Sequence, residues 1–142
     1  MATMPPNPVL KDLEPLIGTW EVTVPRYDAT GGRVSYEWLQ GGAYVGSTSE
    51  APDPFPSASQ IIGRDDSSDT YTVLHYDSRG VSRVYLMTLD ASGWRMWREA
   101  PGFWQRFEGR FSDDGDTITA TWEKSPDGVE WQHDFDMVYT RA

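Results

Sequence analysis

Closely spaced turn sequences divide the second half of this 142-residue chain into short β-type segments. Each turn is rich in Asp, Gly, Pro or Ser, and each joins two segments rich in β-branched and aromatic residues. Turns of this length and composition join neighbouring antiparallel strands. They are Asp77-Ser78-Arg79-Gly80, Asp90-Ala91-Ser92-Gly93, Pro101-Gly102, Asp113-Asp114-Gly115 and Ser125-Pro126-Asp127-Gly128. The sequence therefore predicts a meander of β-hairpins.

We predict ten strands, over residues 18–25, 33–40, 43–50, 58–64, 70–77, 80–89, 93–99, 103–112, 116–124 and 129–141. One short helical turn is expected from Val9 to Leu16, where it could plug one end of the fold. A ten-strand meander without covering helices hides its edges best by closing on itself. The predicted fold is all-β: a single antiparallel up-and-down β-barrel over residues 16–142, preceded by an N-terminal arm of residues 1–15.

Composition narrows the function classes. The chain has 12 basic and 22 acidic residues, a net charge of −10, and this charge disfavours nucleic acid and anionic membrane surfaces as partners. It has no cysteine and two histidines without metal-binding spacing, so no catalytic metal is expected. The N-terminus lacks a basic start followed by an apolar stretch, which favours a cytoplasmic location.

The turns also predict which side chains face each other. If each hairpin closes at its turn, paired residue numbers sum to 183, 203, 229 and 253 along the last five strands. One row across these strands is then apolar throughout and is expected inside the barrel: Met87, Met96, Phe107, Trp122 and Trp131.

The next row along the strands predicts a gap in the barrel interior. Gly109 and Ala120, both small, would flank His133 on a face shared with Phe135. An imidazole beside such a gap can ligate a metal or haem iron, accept a proton or bind a ligand. The alternative is a core histidine whose hydrogen bonds are satisfied locally.

A third row carries inward-facing polar groups: Tyr85, Arg98, Gln105 and Lys124, with Arg83 one step beyond Tyr85. Buried guanidinium groups require an anionic partner, which a ligand carboxylate, phenolate or phosphate could supply. The alternative is an open rim where these groups are hydrated or paired. The turn that follows His75 does not determine whether its side chain faces into or out of the barrel.

The segment Glu50 to Ser59 contains three prolines around Phe55, and it is expected to form either a lid at the barrel mouth or a plain surface loop. The predicted ligand-binding residues are Phe55, Arg83, Tyr85, Met87, Met96, Arg98, Gln105, Phe107, Trp122, Trp131, His133 and Phe135.

The segment Leu16-Ile17-Gly18-Thr19-Trp20-Glu21, together with Arg141 at the end of the last strand, resembles the signature of the calycin superfamily. This superfamily includes lipocalins, fatty-acid-binding proteins and nitrobindins. The resemblance implies that the Trp20 indole closes one barrel end under a cation–π contact from Arg141. The stretch from about Gly63 to Arg141 is also similar to bacterial calycin-like proteins of unassigned function.

Nitrobindins bind haem through a histidine on their last strand, a place that His133 occupies. The resemblance of this chain to nitrobindins implies haem b as an alternative cofactor. Nitrobindins usually continue the Gly-x-Trp motif with further glycines, whereas this chain continues with Glu21, Val22 and Thr23.

The leading hypothesis is therefore a barrel that binds a small hydrophobic or aromatic molecule, with an anionic group, and needs no cofactor. One alternative is haem binding through His133. Another is cofactor-free cyclase or decarboxylase chemistry, with Tyr85 and Arg98, or His133, as acid and base, so enzymatic activity is left open. A homodimer through outward-facing Trp97 or Trp104 is also considered.

Overall fold

A computed structural model of the protein describes residues 8–27, 29–65 and 67–142. Ten antiparallel strands form one closed barrel, in which consecutive strands pair and β1 pairs with β10. The all-β barrel prediction is confirmed, and most predicted strand ends lie within two residues of the observed ones, the starts of β2 and β10 excepted. The strands are β1 (Gly18–Val24), β2 (Ala29–Leu39), β3 (Tyr44–Glu50), β4 (Ala58–Arg64), β5 (Tyr71–Asp77), β6 (Ser82–Asp90), β7 (Gly93–Arg98), β8 (Trp104–Phe111), β9 (Thr117–Ser125) and β10 (Gln132–Arg141).

One end of the barrel is plugged by a 3₁₀ helix, Pro8–Leu16. Leu10, Leu13 and Leu16 are all fully buried. Their spacing of three residues places them on one side of a 3₁₀ helix, which has three residues per turn. The predicted helical turn at this position is confirmed, whereas residues 1–7 of the predicted arm lie outside the described residues. Two shorter 3₁₀ segments, Pro25–Tyr27 and Gln40–Gly42, lie at strand ends.

Trp20 lies beneath this plug and is fully buried. Its indole Nε1 donates a hydrogen bond to the carbonyl of Leu16 at 2.9 Å. The guanidinium carbon of Arg141 lies 4.1 Å from the Trp20 ring centroid, and this is the cation–π contact that the calycin resemblance implies. The cation and the indole thus seal this end of the barrel.

The half of the barrel next to the plug is solid. Its centre is the fully buried indole of Trp94, whose ring centroid lies 4.6 Å from that of Phe107 in an edge-to-face arrangement. Ile62, Val73, Met87 and Ile118 are also fully buried in the same core cluster. In the part of the chain that the structure describes, the barrel has space for another molecule in its opposite half.

The outer face of β5, β6 and β7 carries several exposed apolar side chains, among them Leu74, Tyr76, Val84 and Leu86. Trp97 pairs with Leu86 on this face and is half-buried. Among the residues that the structure describes, no helix has the length and apolar character needed to cross a membrane.

Candidate functional site

The open half of the barrel holds a cavity of about 500 Å³. Residues from all ten strands line it, and its depth is set by Tyr36 of β2 and Tyr139 of β10, both buried. The loop between β3 and β4 crosses its rim and contributes Phe55. Thr30 and Arg79, which also line the cavity, are exposed, so this end communicates with solvent.

Aromatic rings form much of the cavity wall. The Phe55 ring centroid lies 5.7 Å from that of Tyr27, and Tyr27 lies 6.4 Å from Phe135. On the neighbouring strand β9 the Trp122 ring lies 5.7 Å from Tyr85. Rings at such separations pack edge-on or tilted and present apolar faces to a ligand.

A chain of hydrogen-bonded side chains runs along the cavity rim on β4 and β5. Gln60 Nε2 lies 3.1 Å from His75 Nδ1, and His75 Nε2 lies 3.1 Å from Asp77 Oδ2. When Gln60 donates to Nδ1, a neutral His75 carries its proton on Nε2 and donates it to Asp77. Both imidazole nitrogens of His75 therefore have hydrogen-bond partners.

The negative charge of Asp77 is balanced by a neighbouring guanidinium group. Arg79 donates to its two carboxylate oxygens, at 3.2 Å from Nε and 2.8 Å from Nη2. These bonds from Arg79 hold the pKa of Asp77 well below its ordinary value, against the opposing effect of burial, and the bond from His75 acts in the same direction. The Asp77 side chain is only 1% exposed, so Arg79 and Asp77 behave as one paired unit.

Arg83 is a cavity-lining cation without such a partner. Its guanidinium carbon lies 5.3 Å from the ring centroid of Phe103. No ion pair among the described residues includes Arg83. A half-buried guanidinium packed on a ring retains all its donors for a carboxylate or another oxyanion.

Other predicted residues take different places. Tyr85 lines the cavity and donates to Gln105 Oε1 at 3.0 Å, and Met96 also contributes to the wall. Met87 and Phe107 face inward as predicted, but they belong to the solid core and do not line the cavity. Arg98 lies outside the cavity lining, and its Nη1 donates to the carbonyl of Phe103 at 3.2 Å.

The register prediction for β9 and β10 is wrong. The predicted sum of 253 would pair Trp122 with Trp131, whereas Trp122 pairs with Phe135. The loop before β10 is longer than a four-residue turn, and a β-bulge at Asp134 shifts the register between His133 and Phe135. An extra residue in one strand reverses the relation between sequence parity and sheet face. Phe135 thereby takes the predicted place of Trp131.

Trp131 and His133 therefore lie outside the barrel. The Trp131 ring stacks under Arg106, with the guanidinium carbon 4.1 Å from its centroid. His133 pairs with Glu123 of β9, is exposed, and its Nε2 lies 2.9 Å from Asp136 Oδ1. A haem iron in the cavity would have no bond from this residue, so the haem alternative loses the ligand on which it was based. The acid–base alternative keeps Tyr85 in the cavity but loses Arg98 and His133.

The predicted gap beside Gly109 and Ala120 is also wrong. A Cβ atom added at Gly109 would lie 3.3 Å from the Trp94 ring and 3.3 Å from Ile118. Gly109 accommodates the Trp94 indole, and neither small residue lines the cavity. The free space lies nearer the open rim.

Several cavity residues were not predicted as ligand contacts. His75 and Asp77 share a face with Tyr71 and Val73, because alternate residues of a strand face the same side. That alternation could have assigned His75 to the interior. Tyr36 and Ser47 lie on strands whose connections gave no register, so the sequence carried no comparable signal for them. Among the described residues, no group of three or more His, Asp or Glu side chains is arranged to hold a metal ion.

Comparison with solved structures finds the same architecture elsewhere. The chain is similar to the crystal structure of Rv2717c from M. tuberculosis, with a TM-score of 0.68 and 14% sequence identity over 96% of this chain and 99% of that chain. No family model and no curated protein matches the sequence. At this identity the similarity shows the fold alone, a closed antiparallel β-barrel.

Proposed function

We propose that this protein binds a small aromatic molecule carrying one anionic group, with the rings in the cavity and the anion on Arg83. The observation that carries this proposal is the combination of an aromatic-walled cavity of about 500 Å³ with a lining guanidinium that has no carboxylate partner among the described residues. Cavities of roughly 300–1,000 Å³ accommodate drug-sized and cofactor-sized molecules. The barrel fold is compatible with this function.

The charge arrangement supports an anion at one specific point. The chain as a whole carries a charge of −10, so its overall field does not attract anions. Asp77 cancels Arg79 at the rim, and the lining cation Arg33 lies 4.0 Å from Glu21. Among the described residues, Arg83 is thus the lining cation without a carboxylate in ion-pair distance.

The test uses biphenyl-4-carboxylate and its neutral analogue biphenyl-4-carboxamide, titrated calorimetrically. The native protein is expected to bind the carboxylate more tightly. Arg83→Gln is expected to weaken carboxylate binding about tenfold, because a charge-assisted bidentate contact is lost, and to leave carboxamide binding unchanged.

The matched control is Arg110→Gln, which removes an exposed guanidinium from the outer face of β8. It should leave both affinities unchanged. The proposal is wrong if neither compound binds, or if Arg83→Gln and Arg110→Gln have the same effect on the carboxylate.

A further inference from the structure

Two tyrosines meet at the floor of the cavity. Tyr36 is 5% exposed and Tyr139 is 6% exposed, and both line the cavity. The ring of each lies near the Trp94 indole, with centroid separations of 6.2 Å and 5.8 Å. They therefore stand where the cavity ends and the solid core begins.

The Tyr139 hydroxyl has a weak hydrogen-bond partner. It donates to the thioether sulfur of Met137, 3.7 Å away. Met137 precedes Tyr139 on the same strand and also lines the cavity, so the phenol group leans toward the free space. A thioether is a poor acceptor, and a buried hydroxyl gains when an oxygen acceptor replaces it.

The Tyr36 hydroxyl lies on the same floor, beside the buried Ser47. Burial raises the pKa of Tyr36, and a hydrogen bond with the Ser47 side chain only partly offsets this. Burial likewise raises the pKa of Tyr139. Both phenols stay protonated at neutral pH and act as neutral donors, so the floor favours an uncharged oxygen acceptor over a second anion.

The donors and the cation lie at opposite ends of the cavity. Arg83 is the second residue of β6, which begins at the open rim, whereas Tyr139 is two residues before Arg141 at the sealed end. A ligand that spans the cavity would place its anion at the rim and its other end against the phenols.

We propose that the cavity floor is a second polar subsite, in which the Tyr139 hydroxyl, with Tyr36 beside it, donates a hydrogen bond to a ketone or aldehyde carbonyl of the ligand. This inference rests on the anion site of the proposed function and adds a chemical class. The ligand is an aromatic anion with a carbonyl oxygen at the end remote from its charge.

The test compares 4′-acetylbiphenyl-4-carboxylate with 4′-isopropenylbiphenyl-4-carboxylate, which replaces the ketone oxygen by a methylene group of similar size. Calorimetric titration of the native protein should show about tenfold tighter binding of the ketone. Tyr139→Phe should abolish most of this preference and leave the affinity for the isopropenyl compound within twofold. Arg83→Gln should weaken both compounds equally.

The control variant is Tyr44→Phe, because Tyr44 is 46% exposed and does not line the cavity. It should leave the preference intact. If both compounds bind with dependence on Arg83, but the ketone preference is absent or survives in both Tyr139→Phe and Tyr36→Phe, the carbonyl subsite is refuted and the anion site stands. If neither compound binds, the anion site fails and the subsite fails with it.

Discussion

The guanidinium group of Arg141 lies over the ring of Trp20 and donates hydrogen bonds of 2.9 Å to the carbonyls of Ile17 and Pro15. One side chain thereby connects the last strand, the first strand and the end of the 3₁₀ plug. It also satisfies two carbonyls that the 3₁₀ helix and its connection leave without backbone partners.

Replacing Arg141 by Met should lower the free energy of unfolding by about 2–3 kcal/mol, because the cation–π contact and the charged hydrogen bonds are lost together. Arg141→Lys should recover only part of the lost stability, since an ammonium group cannot hydrogen-bond to both carbonyls as the planar guanidinium group does. Urea unfolding measures both. Arg110→Met, at a 70% exposed side chain, should change stability by less than about 0.5 kcal/mol. Equal losses in the Arg141 and Arg110 variants would contradict this role.

Asp77→Asn should change the pH dependence of stability. The pKa of folded Asp77 is below its ordinary value, so its contribution is fully present above the unfolded carboxyl pKa of about 3.9 and is lost as the pH falls toward the folded value. At pH 6 the free energy of unfolding of the native protein should exceed that of Asp77→Asn by about 1.5–3 kcal/mol, and this difference should shrink below pH 4. Urea unfolding at several pH values measures this difference. The exposed Asp113→Asn is the control, and a difference independent of pH would refute the prediction.

Phe135→Ala should weaken ligand binding and His133→Ala should not, although the two residues lie close together on β10. Phe135 lines the cavity, so its truncation should weaken biphenyl-4-carboxylate binding roughly fivefold to tenfold. His133 lies outside in a surface pair, and its truncation should leave binding unchanged and cost at most about 1 kcal/mol of stability. Calorimetric titration decides. A loss of binding in His133→Ala would mean that the bulge does not turn this side chain outward.

Gly109→Val should destabilise the fold by about 1–3 kcal/mol, since the added carbon atoms meet the Trp94 ring and Ile118. Binding of biphenyl-4-carboxylate should not change, because Gly109 is not part of the cavity wall. Thr119→Val, on the exposed side of β9, provides the comparison in thermal unfolding. If Gly109→Val left stability intact but reduced binding, the space beside this glycine would be ligand space after all.

Sequence reasoning predicted the register of β6 to β9 because their turns are short. Pairs such as Leu86 with Trp97, Trp94 with Gly109 and Trp104 with Ser125 follow the predicted sums of 183, 203 and 229. A two- to four-residue turn leaves little choice of closure, so residue type and spacing suffice there.

The last hairpin could not be predicted in the same way. Its loop is organised by side chains: the Ser125 hydroxyl accepts from the amide of Gly128, and the Asp127 carboxylate accepts from the amides of Val129 and Glu130. These bonds lengthen the loop, and the bulge at Asp134 then shifts the register. The composition Ser-Pro-Asp-Gly is that of an ordinary tight turn, so nothing local distinguishes the two outcomes.

The cavity was predicted by its residue types more accurately than by its position. Arg83, Tyr85, Trp122 and Phe135 all line it, as expected. The small residue Gly109 marks the place of the Trp94 ring, and a sequence pattern cannot distinguish room for a ring from room for a ligand. The position of Tyr36 depends on the register of β2 and β3, and the turn at Gly41-Gly42 does not define a unique closure from its sequence.

The pairing of β1 with β10 has a consequence for how the chain folds. Every other ladder joins strands that follow one another in sequence, whereas this one pairs residues from opposite ends of the barrel sequence, such as Trp20 and Arg141. Local hairpins form by short searches, but forming this ladder has a large entropic cost of loop closure before its contacts contribute any stabilisation. Until it forms, the chain is an open sheet with two free edges, which is the species most prone to pair with other chains. Completion of this ladder therefore removes the two edges at which partly folded chains could pair.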